Sequence, residues 1–166
     1  MSIVTLQSLF GYKAWANAEL FELLASVPAE HADRLHACIR TLNHVYVADS
    51  IFRAHLSGKP RPFDATNTQD TPSLKQLRAD VSVSDAWYLD YVFALNESAA
   101  AEVLDFQFTD GDRGRMSREE MLLHVATHGG YHRGNVGERL GAIGIAAPRD
   151  VYTKFLHLSE PERRGG

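Results

Sequence analysis

Apolar residues recur every three or four positions between Ser2 and Ser26, at Leu6, Leu9, Phe10, Trp15, Leu20, Phe21, Leu23 and Leu24, until Pro28 breaks the pattern. That spacing keeps them on one face of a 3.6-residue turn and predicts a long first helix. A second stripe, Leu35, Ile39, Leu42, Val45, Phe52 and Leu56, runs from about Asp33 to Leu56 and stops at Gly58, a residue suited to ending a helix. The next segment, GKPRPFDATNTQDTP over residues 58–72, carries three prolines and many turn formers. It reads as a surface connection that crosses the end of a helical bundle. Thr71 and Pro72 then offer an N-cap and a first-turn residue for a third helix, whose stripe of Leu74, Leu77, Val81, Trp87, Tyr91 and Leu95 continues to about Asn96.

The period changes at Val103. In VLDFQFTDGDRGRMS, Leu104, Phe106 and Phe108 alternate with Val103, Asp105, Gln107 and Thr109 ahead of an Asp-Gly turn, the pattern of a short hairpin at the edge of the fold. Ser117 and Glu120 form a capping box for a fourth long helix. Its apolar face is read as Met121, Val125, Tyr131, Val136 and Leu140, ending near Gly141 and Gly144. A short helix is expected around Val151–Leu158, and the terminal ERRGG is expected to fray. Four long amphipathic helices with one long crossover predict an all-α protein, an antiparallel four-helix bundle, with a short hairpin before the fourth helix. No repeat or boundary divides it, so residues 1–166 are read as one domain.

Composition narrows the partners. With 45% hydrophobic and 23% charged residues the chain has the balance of a globular protein rather than a disordered one. A net charge of −4, with no basic run, argues against nucleic acid as a partner. The single Cys38 excludes an internal disulfide, and no secretory pattern or long apolar run is present, so a cytoplasmic protein without a membrane partner is expected.

The chain has eight histidines, and four of them, His44, His124, His128 and His132, lie in the interiors of two predicted helices. In HVATHGGYHRGN, residues 124–135, His124, His128 and His132 are four apart. Positions four apart differ by about 40° around a helix, so all three share a face. Two imidazoles at this spacing reach one divalent ion, and His44, inside LNHVYVADS of the second helix, supplies a third nitrogen. Gly129 and Gly130 add to the signal, since each costs a helix about 1 kcal/mol relative to Ala and implies a close approach to the backbone. The glutamate of HExxH metalloproteases is missing, and no ExxH is present for a diiron bundle, which leaves a mononuclear histidine site. Asp49 lies about 140° from His44 around an ideal helix and does not share the ion with it. A cap, salt bridge or dimer contact is expected there instead. Tyr12 and Trp15 are read as core aromatics and Asn17 as a partner for a neighbouring polar group. His31, His36, His55 and His157 fall at surface or capping positions, and Cys38 is expected to be buried and inert.

Three segments, YKAWAN at 12–17, LNHVYVAD at 42–49 and HGGYHRGN at 128–135, resemble the signature segments of the DinB family. This is the damage-inducible metal-binding family, not the DNA polymerase that shares the name. RDVYTKFLHL near the C-terminus is similar to that family's closing segment. The resemblance implies a four-helix bundle with His44, His128 and His132 as the metal ligands. It leaves His124 beside the ligand set, as a packing or supporting residue one turn before it. Members of the family usually have HRGQ where this chain has HRGN, so Asn135 keeps an amide with shorter reach in a position that bears on substrate. Tyr131 joins His124 and Asn135 as a residue expected around the ligands or in the substrate pocket.

Three neutral imidazoles leave a divalent ion its full charge and open positions, suited to an anionic ligand. One divalent transition metal per chain is expected, zinc or nickel ahead of iron or manganese. Relatives in the wider DinB-like group transfer thiols such as glutathione, bacillithiol or mycothiol. The resemblance therefore implies a metal-dependent thiol S-transferase, with a small-molecule thiol and an electrophile as partners and a homodimer as the assembly. Two other readings remain at this stage: a metal-dependent hydrolase assisted by Tyr131 or His124, and a non-catalytic metal-binding stress-response protein.

Overall fold

The computed structural model describes residues 2–164. The four long helices are α1 (Ile3–Ala25), α2 (Ala32–Ser57), α3 (Leu74–Ala94) and α5 (Arg118–Gly141). Between α3 and α5 come a single turn, α4 (Glu97–Ala100), and the strands β1 (Val103–Gln107) and β2 (Arg113–Ser117). The chain closes with α6 (Tyr152–Ser159) and a 3-10 turn over Pro161–Arg164; the last two residues of the expected frayed end lie outside the described residues. No described helix is long and apolar enough to cross a membrane.

Local chemistry sets the helix ends. The Ser2 hydroxyl accepts from the Thr5 amide, and Ser117 with Glu120 makes the expected capping box. Gly58 ends α2 in the left-handed conformation, φ 63°, at no steric cost. The third helix starts later than its Thr71–Pro72 pair suggested: Ser73 is the N-cap and accepts from the Gln76 amide. Its buried stripe also differs by one residue. Tyr88 is fully buried and donates to the Asp49 carbonyl at 2.7 Å, while Trp87 is only half-buried.

Two apolar clusters give the helix directions. One holds Leu20 and Leu24 of α1, Cys38 and Leu42 of α2, Leu77 and Val81 of α3, and Val136 and Leu140 of α5. The other holds Leu6 and Phe10, Phe52 and Leu56, Tyr88 and Val92, and Met121 and Val125. Going from the first cluster to the second, α2 and α3 run forward while α1 and α5 run backward. Helix α1 packs on α3 and α5, and α2 packs on the same two. The bundle is therefore up-down-down-up, and successive helices α2 and α3 point the same way. Their connection must return along the length of the bundle rather than across one end. It lies along α2 in reverse order: Phe63 against Tyr46, the Thr66 carbonyl at His44 Nδ1, Thr68 with Asn43, and Thr71 with Arg40.

A buried polar layer separates the two clusters. Lys13 is 1% exposed, and its Nζ lies 2.9 Å from Asp49 and 2.7 Å from Asp85. Asn17 donates to Asp85 at 2.8 Å and accepts from Arg133, whose Nε lies 2.7 Å from Asp150. Tyr12 also donates to Asp150, which ties the segment before α6 to α1. The salt-bridge option for Asp49 and the polar partner for Asn17 are thus realised. Tyr12 and Trp15 instead sit half-buried under Phe155 of α6, and Lys13 takes the core position between them.

The hairpin pairs as its alternation suggested, with Leu104 and Phe106 inward and Gly111 in the turn at φ 97°. Phe106 pairs with Gly114, where a Cβ would lie 2.3 Å from the Phe106 ring. The glycine lets that ring lie flat across the hairpin and meet Phe52 and His55.

Candidate metal centre

Antiparallel neighbours α2 and α5 face each other at mid-height, and this interface presents the histidines. One ring nitrogen from each of His44, His128 and His132 falls within 4.8 Å of the others, and all three side chains are half-buried. His44 Nε2 and His128 Nε2 are 3.2 Å apart. Two imidazoles bound to one tetrahedral ion through bonds of about 2.0–2.1 Å would place their nitrogens about 3.3 Å apart. A hydrogen bond could explain that pair alone, but it leaves His132 without a reason to turn its ring toward both, at 4.9 and 4.5 Å between centroids. The donor set fits a divalent ion.

The crossover supports the cluster. His44 Nδ1 lies 2.9 Å from the Thr66 carbonyl, which can only accept, so Nδ1 carries the proton and Nε2 keeps its lone pair for the ion. The sequence showed no sign of this contact, because a backbone carbonyl in a turn-rich segment has no residue signature. His128 Nδ1 is buried with no hydrogen-bond partner.

His124 lies outside the three-nitrogen group. It is exposed, stacks on His128 at 5.3 Å with 15° between planes, and meets Phe52 at 4.7 Å. It covers one side of His128, the packing role expected of it. Tyr131 does not belong to the apolar face assigned to it: it is 70% exposed and touches only the edge of His132 among the three histidines. Asn135 lines a cavity with His44 and His132. His55, read as a surface or capping residue, packs on Phe52 and Phe106 and lines a second cavity on the His128 side. The buried Cys38 is as expected.

Gly129 has a different reason from the one its position suggested. A Cβ there would meet the Arg133 guanidinium at 3.2 Å and Lys13 Cε at 3.7 Å, so the glycine leaves space for the buried ionic layer rather than for the ion. The two features are back to back on α5, with His132 outward and Arg133 inward.

Burial, reinforced by His132, His44, His124 and Lys13 around it, pushes the His128 imidazole down to about 4. Burial also lowers His132, with help from His44 and Arg139. These rings are therefore neutral at neutral pH, the form that binds a metal. Asp49 moves the other way: burial, opposed by Lys13, pushes its carboxyl up to about 6.

These shifts have opposite signs in stability. A His128 ring that holds fewer protons folded than unfolded loses stability as pH falls from about 6.5 to about 4. An Asp49 that holds more protons folded gains stability as pH falls from about 6 to about 4. In metal-free protein, the urea midpoint of Asp49→Asn should therefore fall more than that of wild type as pH drops from about 7 to about 5, and that of His128→Gln should fall less. The same slope in both variants would refute the assignment.

Known proteins match the chain along nearly its whole length. Over 169 residues the chain is 25% identical to Protein DinB of Bacillus subtilis (strain 168), an alignment that covers 93% of this chain and 95% of that protein. The profile of the DinB family matches residues 1–164, a span that takes in all four long helices and the three histidines, and the chain belongs to the DinB family.

Proposed function

We propose that this protein is a metal-dependent thiol S-transferase whose ion is held by His44, His128 and His132. The observation that carries the reading is the position of the cluster between two unlike cavities. On one side a cavity of about 490 Å³ is lined by Arg40, Asn67, Asn135 and Arg139, with His44 and His132 in its wall. On the other a cavity of about 310 Å³ is lined by Phe52, Phe106, Phe108 and Met116, with His44 and His128 in its wall. A reaction that joins a polar thiol to a less polar electrophile needs two such compartments meeting at one centre.

A divalent ion at the three nitrogens supplies Lewis acidity that lowers the pKa of a bound thiol. The chain's own groups do the rest. His44, with its tautomer set by Thr66, and His128, shielded by His124, hold the donor geometry; the phenyl rings of the apolar cavity exclude water from the electrophile. In the overall reaction the thiol loses its proton and its sulfur forms a bond to the electrophilic carbon; an alkyl halide releases halide with one equivalent of acid, whereas an epoxide or activated alkene takes the proton on the oxygen or carbon at the other end of the broken bond. Among the described residues no cysteine, aspartate or glutamate joins the three histidines in the donor group. Metal-loaded protein should consume free thiol with at least one of a panel of alkyl halide, epoxide and activated-alkene electrophiles, and His44→Ala should not. A panel without any thiol loss, in protein carrying one metal per chain, would refute the transferase reading.

A further inference from the structure

The polar cavity has a charge pattern that the histidines do not require. Arg40 lies one turn before His44 on α2, and Asn135 and Arg139 lie one and two turns after His132 on α5. Because α2 and α5 run antiparallel, both stripes extend from the cluster toward the same end of the bundle. Among the described residues neither arginine makes an ion pair. Arg139 Nη1 donates to the Ala37 carbonyl and to Thr41, and Arg40 Nη1 donates to Thr71. Each guanidinium is therefore oriented through one nitrogen, with its remaining donors left for a ligand. None of the residues lining this cavity is acidic, and the amides of Asn67 and Asn135 add further donors.

Two oriented, unpaired guanidiniums in a cavity that opens onto a histidine cluster form a receptor for carboxylate. We infer that this cavity is the subsite for the acid groups of a small carboxylate-bearing ligand whose other end reaches the histidines. At 1.5 Å per residue, Arg40 and Arg139 are about 6 and about 10 Å along their helices from His44 and His132. That spacing suits a small organic acid with a few bonds between its carboxylates and the group at the ion. The inference rests on the transferase reading only in naming that group as a thiol; the acid subsite stands on the arginines.

The test uses cobalt-loaded full-length protein and three probes: mercaptosuccinate, succinate, which is the same diacid without sulfur, and 2-mercaptoethanol, which has sulfur but no acid. Calorimetry reads affinity, and the sulfur-to-cobalt charge-transfer band reads whether the thiol reaches the ion. Mercaptosuccinate should bind about 10- to 100-fold more tightly than 2-mercaptoethanol, and Arg40→Gln or Arg139→Gln should remove most of that difference while leaving 2-mercaptoethanol and cobalt content unchanged. Arg40 is exposed, so its variant keeps the test valid if Arg139→Gln fails to fold. Equal affinities for mercaptosuccinate and 2-mercaptoethanol, or a preference that survives Arg40→Gln, would overturn the subsite; a charge-transfer band in that case would still support the thiol reading. Succinate binding that the arginine variants abolish, with no band from either thiol, would uphold the subsite and refute the thiol reading.

Discussion

Replacing Lys13 by methionine is expected to lower the unfolding free energy by about 3–5 kcal/mol, the usual consequence of removing one partner from a buried ion pair. The Lys13 ammonium is the cation that both Asp49 and Asp85 contact, and all three side chains lie inside the bundle. Without it the two carboxylates are left facing each other with little water. Asp49 already has one oxygen without a hydrogen-bond partner, so it has no spare contact to fall back on. Methionine fills a similar volume, so the loss would report charge rather than a cavity. The triple variant with Asp49→Asn and Asp85→Asn should recover much of the stability, because an all-neutral layer has no unpaired charge. Urea denaturation of the three proteins checks this, and a cost below about 1 kcal/mol for Lys13→Met would show that the layer is not a tight ionic contact.

Metal content should respond as sharply to the histidines. Protein prepared without a metal-affinity tag is expected to carry about one divalent ion per chain, and His44→Ala or His128→Ala should bring this close to zero. His124→Ala should retain it, because His124 stacks on a ligand ring without joining the three-nitrogen group. Chelation should then lower the melting temperature of the wild type and leave the alanine variants unmoved. An ion at about 1,000 times its dissociation constant stabilises a fold by about 4 kcal/mol. Elemental analysis decides the matter: equal metal in wild type and His128→Ala would refute the site. Nickel, zinc, iron and manganese would be told apart by the same measurement.

Much of this was legible in one dimension. Helical spacing carried the four long helices, alternation carried the hairpin, and the four-residue interval carried His128 and His132 on one face. Such features repeat within a single element, so they survive in the sequence. Arg40 and Arg139 were equally available on the same helical faces as His44 and His132, four and seven residues away, but only the presence of a cavity gave them meaning. Helical spacing does not distinguish Trp87 from Tyr88, the residue that is buried in the core. Two adjacent aromatics 100° apart on a helix give the same composition, and only the Asp49 carbonyl that receives the Tyr88 hydroxyl selects between them.

The sequence alone determined the number and period of the helices, the caps at Ser117 and Gly58, the hairpin, and which histidines could act together on α5, because each depends on contacts within a few residues. Tertiary structure decided what depends on elements far apart in the chain. It set the return of the crossover along α2, which puts the Thr66 carbonyl behind His44. It also made Lys13, to which no local pattern assigned a role, the buried cation of the bundle. Those outcomes follow from helix direction and packing, which no local period encodes.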